Sequence, residues 1–371
     1  MRQTITHFYR LNAFRFFAAW LVMIGHAESI REVKGNFNLH AFSVFRNGQH
    51  AVTFFFVLSG FLITYLLLKE KSTTTDINVK HFYWKRIVRI WPLYFLMVFI
   101  GLYMQPWVVS FVHPHYHPKH SPLEVLPYFL LFVPGLHSHF FGSNLLEPLW
   151  SIGVEEWFYL IWGPFMKWIK RSIFWWIIGF LILKIALNQL TIYGNFPEFI
   201  VYFVRMMQME SMSLGALVAL LFFSEKPVIL PQRMLLILEY LVGFLVLAII
   251  FWNKSLEHFL NDLGVQEKST FTLINAMIYA AFIGLVSLRN KKHVILDHKW
   301  LNWCGEISYG IYMYHLLVIT LIWTLIEPYH FQSTAETILF HLSTLSITIM
   351  IAGLSKKYIE NPILKWKNWI H

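Results

Sequence analysis

The chain has one cysteine, Cys304, in 371 residues, so no intramolecular disulfide is open to it. Charge is scarce as well: Asp, Glu, Lys and Arg make up 13% of the sequence, about half the share of a soluble domain. No polar stretch exceeds a few dozen residues, which argues against an appended soluble domain, and the basic tail at about 356–371 is too short to fold alone. Internal repeats and low-complexity tracts are missing, which disfavours transporter folds built from duplicated halves. What is abundant is apolar: 57% of the residues are hydrophobic and 18% aromatic, the balance of a multipass membrane protein.

Apolar helical runs of about 20 residues match the hydrocarbon thickness of a bilayer. They recur at about 11–30, 50–68, 91–110, 150–169, 172–190, 199–223, 234–252, 271–288, 306–326 and 337–355. The expected fold is an all-α polytopic bundle of about ten transmembrane helices forming a single domain over 1–371. The first run follows a basic start without a small-residue cleavage site, since AESIREVKG is a poor match, and is expected to stay as a signal anchor. Of the thirty Lys and Arg residues, twenty-one fall in segments that an inside N-terminus would make cytoplasmic and six in the opposite loops. Both termini are therefore expected to be cytoplasmic. The net charge of +10 is an orientation signal and needs no nucleic-acid partner.

Inside the first run stand Arg15 and His26. Eleven residues at 100° each come to about 20° beyond three full turns, with about 16 Å of axial separation, so the two share a face. Either Arg15 snorkels to headgroups and His26 is interfacial, or the pair faces protein or water for a functional reason. In the second run, NGQHAVTFFFVLSGFLIT carries Ser59, which can bond back to its helix backbone, and Gly60, which permits close approach. KHFYWKRIVRIWPLYFL places Arg86 and Arg89 three apart ahead of Pro92, as span anchors or as a fork for a phosphorylated ligand. EPLWSIGVEEWFYLIWGP sets Glu155 and Glu156 in an aromatic helix, with Tyr159 on the face of Glu155. At least one carboxylate must face inward, and beside a histidine it would orient the imidazole. GEISYGIYMYHLLV puts Ser308, Tyr312 and His315 on one face, for helix packing or a substrate path.

In combination these segments resemble the acyltransferase-3 family of integral membrane O-acyltransferases. Arg15 and His26, FFFVLSGFLIT, KRIVRIWPLY, LWSIGVEEWFYLIW and ISYGIYMYHLLV look like that family's signatures in the family's order, over roughly residues 10–320. HAVTFFF departs from the usual lead-in and Trp157 stands where a glutamine is frequent, departures that bear on acceptor fit. VRMMQMESMSLG, from Arg205 to Glu210, is only loosely like a family pattern and receives no role.

The resemblance implies transfer of an acyl group, most often acetyl, from cytoplasmic acyl-CoA to a carbohydrate hydroxyl beyond the membrane. It implies a bacterial inner membrane location and no permanently bound cofactor. In that scheme Arg15, Arg86 and Arg89 receive the donor, and Ser59, Tyr159, Tyr312 and His315 lie along the substrate path. His26 is general base or transient acyl carrier, and Glu155 orients it. The rival is a transporter or lipid-sugar flippase using the same residues as a proton or substrate path. HPHYHPKH, with His113, His115, His117 and His120, invites a metal, but it is kinked by Pro114 and Pro118 and no nearby Cys or carboxylate completes a convincing site, so no metal is expected. Segment 121–148, apolar but broken by prolines, is expected to form a re-entrant or interfacial cover.

Overall fold

The computed structural model describes residues 5, 7–112, 120–142, 145–169, 172–223, 230–262, 268–326 and 333–368. His113, His115 and His117 lie outside the described residues. Among those described there is no strand. The helices of the first half are α1 (Leu11–Val33), α2 (Gly48–Thr74), α3 (Val79–Phe99), α4 (Gln105–Val112), α5 (Pro122–Leu130), α6 (Pro134–Phe141) and α7 (Leu149–Trp168). The second half adds α8 (Ile173–Tyr193), α9 (Glu198–Met206), α10 (Met209–Leu220), α11 (Gln232–Asp262), α12 (Lys268–Arg289), α13 (Lys299–Glu306), α14 (Ser308–Ile326), α15 (Thr334–Ser355) and the short α16 (Asn361–Leu364).

Seven helical stretches among the described residues are long and apolar enough to cross a membrane, and they contain seven of the ten expected spans. Helices α1 and α7 match two more spans in position and length. Their inward-facing polar residues, Arg15, His26 and Glu28 in α1 and Glu155 and Glu156 in α7, set them apart from the apolar seven. The span expected at 199–223 is corrected: the helix breaks at Met207 and Gln208, giving α9 and α10. Apolar content recorded that segment's depth, but it carries no sign of the break.

Burial separates helices that hydropathy treats alike. Of the most apolar window of α2, 78% is buried in the protein, against 11% for α11 and 17% for α8. Those outer helices turn Trp175, Trp176, Leu183, Tyr240 and Phe244 outward, as the outer helices of a membrane bundle do. At the centre α2 crosses α10 at backbone contact. A Cβ on Gly60 would meet the Met212 carbonyl oxygen at 1.9 Å, and one on Gly215 the Val57 carbonyl oxygen at 1.9 Å.

Helix α1 is fixed at both ends by buried charge. At its start, Arg10 takes a left-handed conformation (φ 69°), and its amide donates to Asp297 at 2.7 Å. The Arg10 side chain pairs with Glu239 and donates to the Val286 carbonyl at 3.1 Å. At the other end, the fully buried Arg31 donates to Thr337 at 2.7 Å and to the Phe37 carbonyl, and Glu28 holds His341 at 2.6 Å and the Leu39 amide. A charge left unpaired there would be costly, so these contacts set the depth and rotation of α1, and with them the positions of Arg15 and His26.

The broken segment after residue 120 folds as α5 and α6. Ser121 and Glu124 form a capping box at the start of α5. The turn between the two helices packs inward: Tyr94 donates to the Phe129 carbonyl at 3.0 Å and Trp157 to the Leu131 carbonyl at 3.2 Å. Gly153 lies under the Phe132 carbonyl, where a Cβ would come within 2.4 Å. The segment thus packs on the first half of α7.

Candidate active site

Helices α1, α2, α3, α7 and α14 enclose a cavity of about 490 Å³. Its wall carries Arg15, Arg86 and Arg89, with Lys69 and His7 also lining it. Arg15 comes from α1; Arg86 and Arg89 come from successive turns of α3, whose start is capped by Asn78 accepting from the His81 amide at 3.0 Å. Pro92 is tolerated inside α3, which runs on to a π turn at Ile100–Met104. The Arg86 guanidinium lies 6.0 Å from the ring centres of Phe82 and Tyr159, a cation–π arrangement that keeps it aimed into the cavity.

Opposite the arginines a hydrogen-bonded chain crosses from α2 to α7. The Ser59 hydroxyl donates to the Tyr159 hydroxyl at 2.6 Å, and Tyr159 donates to Glu155 at 2.8 Å. Ser59, which could bond back to its own helix backbone, instead bonds across to α7. Glu155 lies within electrostatic range of Arg15, Arg86 and Arg89. Its neighbour Glu156 points elsewhere and accepts from the Trp91 indole at 2.9 Å. The adjacent carboxylates are thus divided between the cavity and the α3–α7 seam.

The far end of the cavity is closed by Tyr312 and Ser151. The Tyr312 hydroxyl donates to the Pro148 carbonyl at 3.0 Å and accepts from Ser151 at 2.7 Å. Beyond this floor lie the two histidines. His315 packs against Tyr312, ring centres 5.7 Å apart, and against His26, ring centres 5.2 Å apart and planes tilted by 43°. His315 is fully buried, whereas His26 is half-buried and is not among the cavity-lining residues.

The structure therefore gathers Arg15, Arg86, Arg89, Ser59, Glu155, Tyr159 and Tyr312 around one cavity and places His26 and His315 past its floor. The pairing of Glu155 with His26 expected from the sequence is not the observed one. Glu155 sits at the level of Arg15, and the carboxylate within electrostatic range of His26 is Glu147, just ahead of α7. Helical rise accounts for this: Glu147 precedes Glu155 by eight residues, about 12 Å along an axis, comparable to the separation of Arg15 from His26. Glu147 and Ser151 stand in the EPLWS stretch, whose glutamate before a proline was the available signal; Ser151 has none. Among the described residues no group of His, Cys, Asp or Glu has the makings of a metal site. His120 lies 3.9 Å from Glu124, and His139 stacks on Tyr202 at 4.8 Å.

A family model described as an acyltransferase domain, that of the acyltransferase-3 family, matches residues 8–354. The peptidoglycan O-acetyltransferase OatA of Listeria monocytogenes is 27% identical over 344 residues, covering 87% of this chain and 52% of its own length. YrhL of Bacillus subtilis, provisionally named a peptidoglycan O-acetyltransferase, is 28% identical over 339 residues, covering 85% of this chain and 50% of its own. A provisionally named O-acetyltransferase of Staphylococcus aureus strain MW2 is 26% identical over 349 residues, covering 87% and 54%. The chain spans about half the length of these relatives. No solved structure matches it.

Proposed function

This chain belongs to the acyltransferase-3 family, and on that premise we propose that it carries an acetyl group from cytoplasmic acetyl-CoA to a hydroxyl of a cell-wall carbohydrate, peptidoglycan by analogy with its named relatives. The observation that carries this reading is the cavity: an arginine-lined wall at one end and, past a tyrosine floor at the other, a histidine pair. Arg86 and Arg89 receive the donor's phosphates through forked contacts, and Arg15 neutralises charge deeper in. The uncharged pantetheine arm runs along the Ser59–Tyr159 wall toward Tyr312. Glu155 accepts from Tyr159 and offsets the mutual repulsion of the three arginines.

In the transfer step His26 takes the proton of the acceptor hydroxyl as the oxygen attacks the thioester carbonyl. A carbon–oxygen bond forms, the carbon–sulfur bond breaks, and the departing thiolate takes the proton from His26. Because the thioester arrives on the cavity side and His26 lies past the floor, Tyr312 must swing aside or the acetyl group must pass beside it. The proposed setting is the bacterial inner membrane, with the arginine end cytoplasmic.

The test is release of CoA from acetyl-CoA by purified protein in liposomes, with muropeptides as acceptor. Acceptor-dependent release is expected in the wild type and is expected to fall about 10²–10⁴-fold in His26→Ala, the usual contribution of a general base. Labelled glycan crossing the bilayer with no CoA released would make the protein a flippase instead.

A further inference from the structure

His315 is an imidazole sealed inside the protein with one nitrogen open. Its Nδ1 lies 2.5 Å from the Tyr312 carbonyl oxygen, three residues back on the same helix. A carbonyl can only accept, so in the neutral ring Nδ1 carries the proton and Nε2 is a bare acceptor. That Nε2 is buried and has no hydrogen-bond partner among the described residues, although the side chain is fully covered. An open acceptor in such a place is costly unless something donates to it.

The ring facing it is that of His26, on α1. With ring centres 5.2 Å apart, a small turn of the His26 ring or one bridging water brings a His26 nitrogen into hydrogen-bonding reach of that Nε2. The other groups close by are accounted for. Tyr312 is committed to Ser151 and Pro148; Tyr314, on the neighbouring turn, donates to Ser355 of α15. Glu147 acts on His26 and Tyr312 from the start of α7.

We propose that His315 is a positioning residue for His26: its bare Nε2 accepts a hydrogen bond from one His26 ring nitrogen, directly or through one water. The other His26 nitrogen is then left unprotonated and turned toward the acceptor hydroxyl. The backbone of α14 thus dictates a tautomer on α1 through two linked rings, the arrangement by which a second group orients a catalytic imidazole. This rests on the reading of His26 as the base, and it gives the buried polar stripe of α14 a task besides helix packing.

The experiment follows carbethoxylation of His26 by diethyl pyrocarbonate, resolved by peptide mass spectrometry, in wild type, His315→Leu and His315→Gln. The reagent attacks an unprotonated imidazole nitrogen, so the rate reports how steadily that nitrogen is presented. His315→Leu is expected to slow His26 modification about threefold or more, and His315→Gln, which retains an acceptor oxygen, to restore most of it. Acetyl transfer in His315→Leu should lose kcat with KM for acetyl-CoA unchanged. An equal or faster His26 rate in His315→Leu overturns the proposal. If the leucine variant does not elute as intact protein, His315→Met takes its place under the same criteria. A wild type that releases no CoA sinks the acyltransferase reading alone, because the carbethoxylation comparison needs no turnover.

Discussion

Two arginines three residues apart on a membrane helix serve equally well as anchors or as a phosphate clamp, and what separates the roles is the direction they face. Arg86 and Arg89 line the same cavity as Arg15 and Glu155. Arg86→Ala and Arg89→Ala should each raise the acetyl-CoA dissociation constant about tenfold or more, the value of a charge-assisted hydrogen bond lost. Calorimetry in detergent checks this, and an unchanged constant returns both residues to anchoring. Tyr159→Phe removes the hydroxyl linking Ser59 to Glu155 and should weaken donor binding without unfolding the protein, because the ring still packs on Phe82. Chelation by EDTA should leave CoA release unchanged. The residue types of this site were legible in the sequence because ionisable groups inside apolar runs are few and conspicuous. Their pairing was not: Glu147 stands just ahead of the fourth run and Glu155 within it, and only three-dimensional depth assigns one to His26 and the other to the arginines.

Among the helices, the α2–α10 crossing determines whether the cavity wall holds its shape, since Ser59 is adjacent to the Gly60 contact. Gly60→Leu and Gly215→Val would drive side chains into backbone carbonyls and should lower the detergent melting temperature markedly, read by fluorescence-detected size exclusion. Gly179→Leu is the control: Gly179 lies exposed on α8 with nothing within 4 Å of a Cβ, so the same change should be tolerated there. Element positions followed the apolar runs closely, because a bilayer-length helix satisfies its own backbone and needs little else to form. The break between α9 and α10 escaped that logic. Met207 and Gln208 carry no helix-breaking chemistry, and the kink is decided by what α9 and α10 pack against.

At the scale of the whole molecule, the proposed function requires the arginine-lined end to face the cytoplasm and the His26 end the opposite side. Single cysteines in a Cys304→Ser background test this. Those placed at Thr75 and Tyr358 should resist a membrane-impermeant maleimide in intact cells, and one at Val33 should react. The reverse pattern would invert the orientation and, with it, the direction of transfer. Residues Thr75, Tyr358 and Val33 are all exposed in the structure, so labelling reports sidedness and not burial.

By itself the sequence determined that this is an apolar, helical membrane protein with cations and carboxylates set at particular depths. Composition and period are local quantities, and the bilayer reads them locally. Tertiary structure decided which of those groups share a cavity, which glutamate lies near His26, and that Tyr312 stands between the arginine-lined cavity and the histidines. These are relations among helices more than a hundred residues apart in the chain, such as Ser151 with Tyr312 or His26 with His315, and no spacing along one strand of sequence encodes a contact between two.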